Sequence, residues 1–235
     1  MKVIRCIYSL IILYSFIFTE NQNNITILAT TNVHGEIDPC GWKKKPLGGL
    51  ARKATVIDEL INKNLDPIIL DAGDLFFKKD EIDPGVTLET SMINAEIIVE
   101  SFNKMGCDAF SPGSKDFAAG LEFILNQYKE SNFPYISCNI ADLNSNLLFK
   151  PYVIRKSNNM DIGIIGLASL FDSQEFKVLD PMESLEKIIE EVEQKSDFIV
   201  LLFNATQQDL SKLYKTSFPI DIIISSKGRT RSSDG

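Results

Sequence analysis

Apolar and polar positions alternate along the chain in two rhythms, and the switches between them predict a strand–helix–strand order. Ile25–Thr30 is a short β-branched run that predicts a strand. After the turn-forming Gly48-Gly49, Leu50, Ala54, Ile57, Leu60 and Ile61 recur at helical spacing. Pro67–Asp71 predicts a buried strand that ends in Ala72-Gly73-Asp74. A helix is expected over about Ser91–Lys104, a strand over Cys107–Phe110 and a second helix over Leu121–Glu130. Tyr135–Asn139 and Tyr152–Arg155 read as strands, and Ser157-Asn158-Asn159 is a turn leading into strand Ile162–Leu167. Leu185, Ile188, Ile189 and Val192 form the apolar stripe of an amphipathic helix with a Glu-rich outer face. Strand Phe198–Phe203, helix Gln207–Lys215 and strand Ile220–Ser225 complete the pattern.

Strands alternating with helices imply an α/β fold with helices packed outside a sheet core. Ligand sites in such folds gather at the carboxyl ends of strands. The residues just after the strands are therefore the candidates: Thr31-Asn32-Val33-His34-Gly35, Gly73-Asp74, Gly113-Ser114-Lys115-Asp116, Asn204-Ala205 and Ser226-Lys227-Gly228-Arg229.

Composition narrows this picture. The chain has 235 residues, 44% hydrophobic, enough for one large domain with a buried core. A net charge of −8, spread along the chain, argues against nucleic acid as a partner. Lys2 and Arg5, the apolar run Ile7–Phe18 and the polar stretch Glu20–Asn24 make residues 1–24 a signal peptide or N-terminal anchor. Export to a periplasm or the cell exterior follows as an expectation, with residues 25–235 as the domain. Ser15 and Thr19 match a cleavage site poorly, so an uncleaved anchor stays open. Of the four cysteines, Cys107 and Cys138 sit in apolar stretches and read as core residues, Cys6 lies ahead of the apolar run, and Cys40 is the exposed candidate.

Three segments in order, Asn32-Val33-His34-Gly35, Gly48-Gly49-Leu50-Ala51-Arg52 and Asp71-Ala72-Gly73-Asp74, resemble the 5′-nucleotidase branch of the calcineurin-like metallophosphoesterases. The resemblance runs from about Ile25 to Thr230. It implies the family's two-sheet β-sandwich flanked by helices, and a site where two divalent ions clamp a phosphate ester and activate water. Asp38-Pro39-Cys40-Gly41-Trp42 and Gly113–Gly120 look like an exported bacterial subgroup, with Trp42 where that subgroup has a second Cys.

The departures bear directly on the chemistry. The family's Asp-x-His-Gly begins here with Asn32, its Gly-Asn-His-Glu becomes Gly113-Ser114-Lys115-Asp116, its Ser-His becomes Phe203-Asn204, and its Gly-His-x-His becomes Lys227-Gly228-Arg229. His34 is the only histidine. Asn32, His34 and Asp74 are thus a vestigial metal set, and His34 is the one candidate catalytic group. No metal ion is expected to bind stably, one weak divalent ion at most. Lys115, Lys227 and Arg229 form a candidate anion-binding group, with Lys43-Lys44-Lys45 as a further basic loop. The leading expectation is a non-catalytic binding or accessory protein, for an anionic small ligand or a protein partner. A weak one-metal phosphoesterase and a truncated, decaying product are the alternatives. Family members add strands after the segment matched by Ile220–Ser225. The polar tail Arg229–Gly235 supplies none, so the sandwich is expected to lack its final strands and be a fragment or a marginally stable domain.

Overall fold

The computed structural model describes residues 24–39, 48–63, 65–82 and 84–226. Residues 1–23, Cys40, Trp42, Lys43–Lys45, Lys227 and Arg229 lie outside that set. The expectations placed on them, the signal peptide, the Cys-Gly part of the Pro-Cys-Gly segment, the basic loop and two of the three anion-binding side chains, lie outside the described residues.

Parallel strands β1 (Ile27–Thr30), β2 (Ile68–Asp71) and β3 (Ala109–Phe110) form one sheet in that order. The second sheet has four strands, β5 (Tyr152–Ser157), β6 (Met160–Ala168), β8 (Phe198–Asn204) and β9 (Ile222–Ser225). β5 and β6 make an antiparallel hairpin, while β6, β8 and β9 run parallel. The hairpin turn uses Asn158 and Asn159 at φ 47° and 65°, which matches the handed twist of a two-residue loop. A small antiparallel pair, β4 (Ile140–Ala141) with β7 (Lys177–Val178), lies apart from both sheets.

Side-chain alternation sorts the core into layers. Along β8, Val200 and Leu202 meet Ile68 and Leu70 of β2 and Ile162 and Ile164 of β6 in the space between the sheets. The intervening Ile199, Leu201 and Phe203 face the other way, onto Leu185, Ile189 and Val192 of helix α4 (Pro181–Glu193) and Leu210 and Leu213 of α5 (Gln207–Leu213). On the outer side of the first sheet, Phe76, Phe77 and Phe110 pack against Ala95, Ile98 and Phe102 of α2 (Val86–Met105) and Phe123 and Ile124 of α3 (Leu121–Glu130). Helix α1 (Leu50–Asn62) adds to this layer, with Lys53 Nζ 3.8 Å from the Phe102 ring centre. The two-sheet sandwich flanked by helices expected from the sequence is the observed architecture.

Local chemistry sets the helix ends. Asp180 accepts from the amides of Met182 and Glu183 at 2.9 and 3.0 Å, with Pro181 at the first helical position of α4. Gly106, at φ 73°, stops α2 in the left-handed conformation. The stretch Tyr135–Asn139 departs from expectation. It forms isolated bridges, Tyr135 with Phe110 and Ile136 with Lys150, rather than a strand, because its backbone bonds pass from Phe110 of β3 to Lys150 and then to Gly166 of β6 within a few residues. Gly166 of β6 permits that passage, since a Cβ there would collide with the Ile136 carbonyl. Cys107 and Cys138 are buried free thiols, as the sequence predicts.

Candidate functional site

The loops after β1, β2, β3 and β8, with the end of β9, converge at one edge of the sandwich. Parallel strands place all these carboxyl ends together. The first two loops are laced by backbone bonds: Asn32 N–H to Gly73 O at 3.0 Å, His34 N–H to Asp74 O at 2.9 Å and Gly35 N–H to Leu75 O at 2.9 Å. Asn32, His34 and Asp74 all adopt left-handed backbone angles, φ 54°, 57° and 56°. Such angles cost non-glycine residues energy, and three together mark a strained edge held by its surroundings.

Asp116 does much of that holding. It lies in the 3₁₀ turn Ser114–Phe117, fully buried. Its Oδ1 accepts from the amides of Leu75 at 2.7 Å and Phe76 at 2.8 Å. Its Oδ2 accepts from Asp74 at 2.9 Å and Gly113 at 2.8 Å. One carboxylate thus ties the β2 loop to the β3 loop. Burial and the neighbouring Asp74 raise its pKa, and the N–H groups pointing at both oxygens, those of Gly113 and Phe76 among them, pull it back toward the ionised form. Asp71, the last residue of β2, accepts from Thr30 Oγ1 at 2.6 Å and from the Gly73 amide at 3.0 Å. Lys53 Nζ donates to the same Thr30 hydroxyl at 2.9 Å. Burial pushes Asp71 up to about 6 and Lys53 down.

Three of the sequence-predicted residues meet at the centre. Lys115 Nζ lies 2.9 Å from His34 Nε2 and 3.4 Å from Asp74 Oδ2, and His34 Nε2 is 4.0 Å from the same oxygen. Asp74 is fully buried. Burial and then Lys115 hold the His34 pKa below its ordinary value, so the ring is neutral at pH 7 and its Nε2 accepts from the ammonium. Asn32 turns away: its Nδ2 donates to Thr31 Oγ1 at 3.1 Å and to the Ser226 carbonyl. It ties β1 to β9. Ser114 also points outward, its hydroxyl 2.5 Å from Asp80 Oδ1.

Asn204, at the end of β8, joins the centre and is 3% exposed. A Cβ on Gly113 would collide with the Asn204 amide and stand 2.6 Å from Asp74 Oδ1, so glycine is what lets the three loops close in. Both carboxylate oxygens of Asp74 and Nδ2 of Asn204 are buried without a hydrogen-bond partner. Among the described residues no group of three or more His, Cys, Asp or Glu is placed to hold a metal ion. A cavity of about 470 Å³ lies on the Ser114 and Asn204 side, and one of about 340 Å³ opens on the His34 side. The sequence places Asp116 and Asn204 after their strands, but the bonds that make Asp116 a fastener are tertiary and carry no sequence signal.

No family model matches the chain. A 5′-nucleotidase of Vibrio cholerae is 30% identical over 189 residues, 75% of this chain and 32% of that protein. The snake venom 5′-nucleotidase of Gloydius brevicauda is 31% identical over 154 residues, 60% of this chain and 25% of that protein. The chain spans about a third or less of the length of these curated relatives. Among solved structures, the 5′-nucleotidase precursor of Thermus thermophilus superposes with a TM-score of 0.72 at 23% identity, covering 86% of this chain and 41% of that one. The calcineurin-like phosphoesterase YfkN of Bacillus subtilis gives 0.66 at 22% identity, covering 86% of this chain and 71% of that one.

Proposed function

This chain belongs to the 5′-nucleotidase branch of the metallophosphoesterase superfamily, and from that premise we propose that it keeps the fold as a binding or accessory module and has given up two-metal hydrolysis. The family is metal-dependent. The residues present here do not fit a pair of ions. Among the described residues Asp74 and His34 are the carboxylate and imidazole that face each other at the centre, Asp116 spends both oxygens on four backbone amides, and Asn32 spends its amide on Ser226 and Thr31. The observation that carries the reading is Lys115 Nζ, 2.9 Å from His34 Nε2 and 3.4 Å from Asp74 Oδ2. An ammonium in contact with both surviving ligands opposes a second cation in the same space.

Lys115 therefore serves the protein's own carboxylate. Export is part of the same proposal. It rests on the N-terminal pattern of Lys2, Arg5 and Ile7–Phe18, and among the described residues no helix is long and apolar enough to cross a membrane.

The test is elemental analysis of purified protein beside an assay with p-nitrophenyl phosphate and AMP in added Mn²⁺ or Zn²⁺. The expected outcome is less than one bound ion per chain and no turnover that depends on Asp74. Two bound ions, with hydrolysis abolished by Asp74→Asn, would overturn the reading.

A further inference from the structure

The cavity of about 470 Å³ beside the candidate site is walled by two chemistries. Its size falls within the roughly 300–1,000 Å³ usual for small-molecule pockets. Three phenyl rings line it: Phe117 of the 3₁₀ turn, and Phe171 and Phe176 of the segment between β6 and β7. Their ring centres lie 5.8 Å (Phe117–Phe171), 4.4 Å (Phe117–Phe176) and 5.8 Å (Phe171–Phe176) apart, so they form one aromatic wall.

Four exposed carboxylates share the same lining, those of Asp80, Glu81, Asp172 and Glu175. Asp80 accepts from the Ser114 hydroxyl at 2.5 Å and Glu175 from the Leu121 amide at 3.1 Å. Neither contact brings a positive charge. Among the described residues none of the four joins an ion pair, and the lining holds no lysine, arginine or histidine. Lys115, next in the chain to Ser114 of the lining, sends its Nζ to His34 and Asp74 instead. The four carboxylates do not converge on a point either, since no three of the described acidic, His or Cys side chains are placed to hold one ion.

We propose that this cavity takes an organic polycation of the polyamine class, with its methylene segments against the phenyl rings and its ammonium groups at the separate carboxylates. The proposal names a ligand for the binding module described above and rests on that reading. Spread negative charge suits a ligand whose own charges are spread along a chain. Phenyl faces attract ammonium groups, and methylene stems bury well against apolar surface. A metal ion would find no converging ligands. An anion, the class expected from Lys115, Lys227 and Arg229, would meet four like charges here.

Calorimetric titration of the full chain with spermidine tests this. A straight-chain diol of equal length, Mg²⁺ and a lysine-rich peptide are titrated beside it, and thermal unfolding is followed with and without spermidine. Wild type should take one spermidine per chain, gain melting temperature from it, and bind neither the diol nor Mg²⁺ comparably. Glu81→Gln/Asp172→Asn, a change at two exposed positions, should weaken uptake about tenfold. Phe171→Leu, which keeps apolar bulk without the ring face, should weaken it about threefold. Glu186→Gln/Glu190→Gln removes two exposed charges of α4 outside the lining and should bind as wild type. No uptake by wild type at millimolar spermidine overturns the proposal. So does equal weakening by the two charge pairs, unweakened binding by Phe171→Leu, comparable binding of Mg²⁺ or the diol, or tighter binding of the peptide. Two bound metal ions with Asp74-dependent hydrolysis in the same wild-type preparation would instead overturn the reading on which the proposal rests, so the two failures are told apart.

Discussion

Replacing Asp116 by alanine removes the acceptor for four buried amides at once, those of Leu75, Phe76, Asp74 and Gly113. Each buried donor left without a partner costs roughly 1–3 kcal/mol. Simple addition gives about 4–12 kcal/mol. Water entering the emptied space and local relaxation bring the expected loss to the lower end, about 4 kcal/mol. That is a large share of the roughly 5–15 kcal/mol that stabilises a typical domain. At a urea dependence of about 2 kcal/mol per molar, the unfolding midpoint should fall by about 2 M. Asp116→Asn is a graded control. Its amide keeps one oxygen for two of the N–H groups and turns an NH₂ toward the other two, so a loss of at least about 2 kcal/mol is expected. Ser114→Ala, which removes an exposed contact to Asp80, should stay within about 0.5 kcal/mol of wild type. Equilibrium urea unfolding followed by circular dichroism reads all three. An Asp116→Ala midpoint within about 0.5 M of wild type would refute the claim that this carboxylate fastens the loops.

Two further outcomes follow from single positions. Gly166→Ala should destabilise by about 1–3 kcal/mol or more, because its Cβ meets the Ile136 carbonyl between the sheets; unchanged thermal unfolding would show the passage is looser than described. Asp71 is raised from an ordinary 3.8 to about 6, so the folded protein holds that proton where the unfolded chain has lost it. Its contribution therefore declines as pH rises from about 4 to about 6 and is flat above, a change of about 3 kcal/mol at 1.36 kcal/mol per unit. Asp71→Asn should remove that slope, and a stability difference between the two proteins that is equal at pH 4 and pH 7 would contradict it.

Much of the fold is legible in the sequence, for reasons that differ along the chain. β8 announces itself as an unbroken apolar run buried on both faces, and α4 by the helical spacing of Leu185, Ile189 and Val192 on its one buried face. Tyr135–Asn139 is apolar enough to read as a strand, and it is buried, but pairing depends on neighbours far along the chain. Lys150 and Phe110 supply only single bridges. β4 and β7 are two residues each and draw their pairing from segments nearly forty positions apart, which no local pattern can express. At the site, the sequence brings His34 and Asp74 into view as retained motif positions and Lys115 as a substituted one, and the structure places the three in contact. Asn32 shows the limit. Its position after β1 is legible, while the turn of its amide toward Ser226 depends on β9, 194 residues later.

The manner in which the loops are fastened has a consequence for how such a protein can change. Where ions knit the loops of an active site, stripping them loosens the shape, and each lost ligand weakens the whole. Here the knot is a carboxylate of the chain itself, closed by four amides of the same chain. It cannot be chelated, diluted or outcompeted. A scaffold tied in this way can surrender its ions without surrendering its outline, and its rim is then open to substitutions that a working metal centre would forbid.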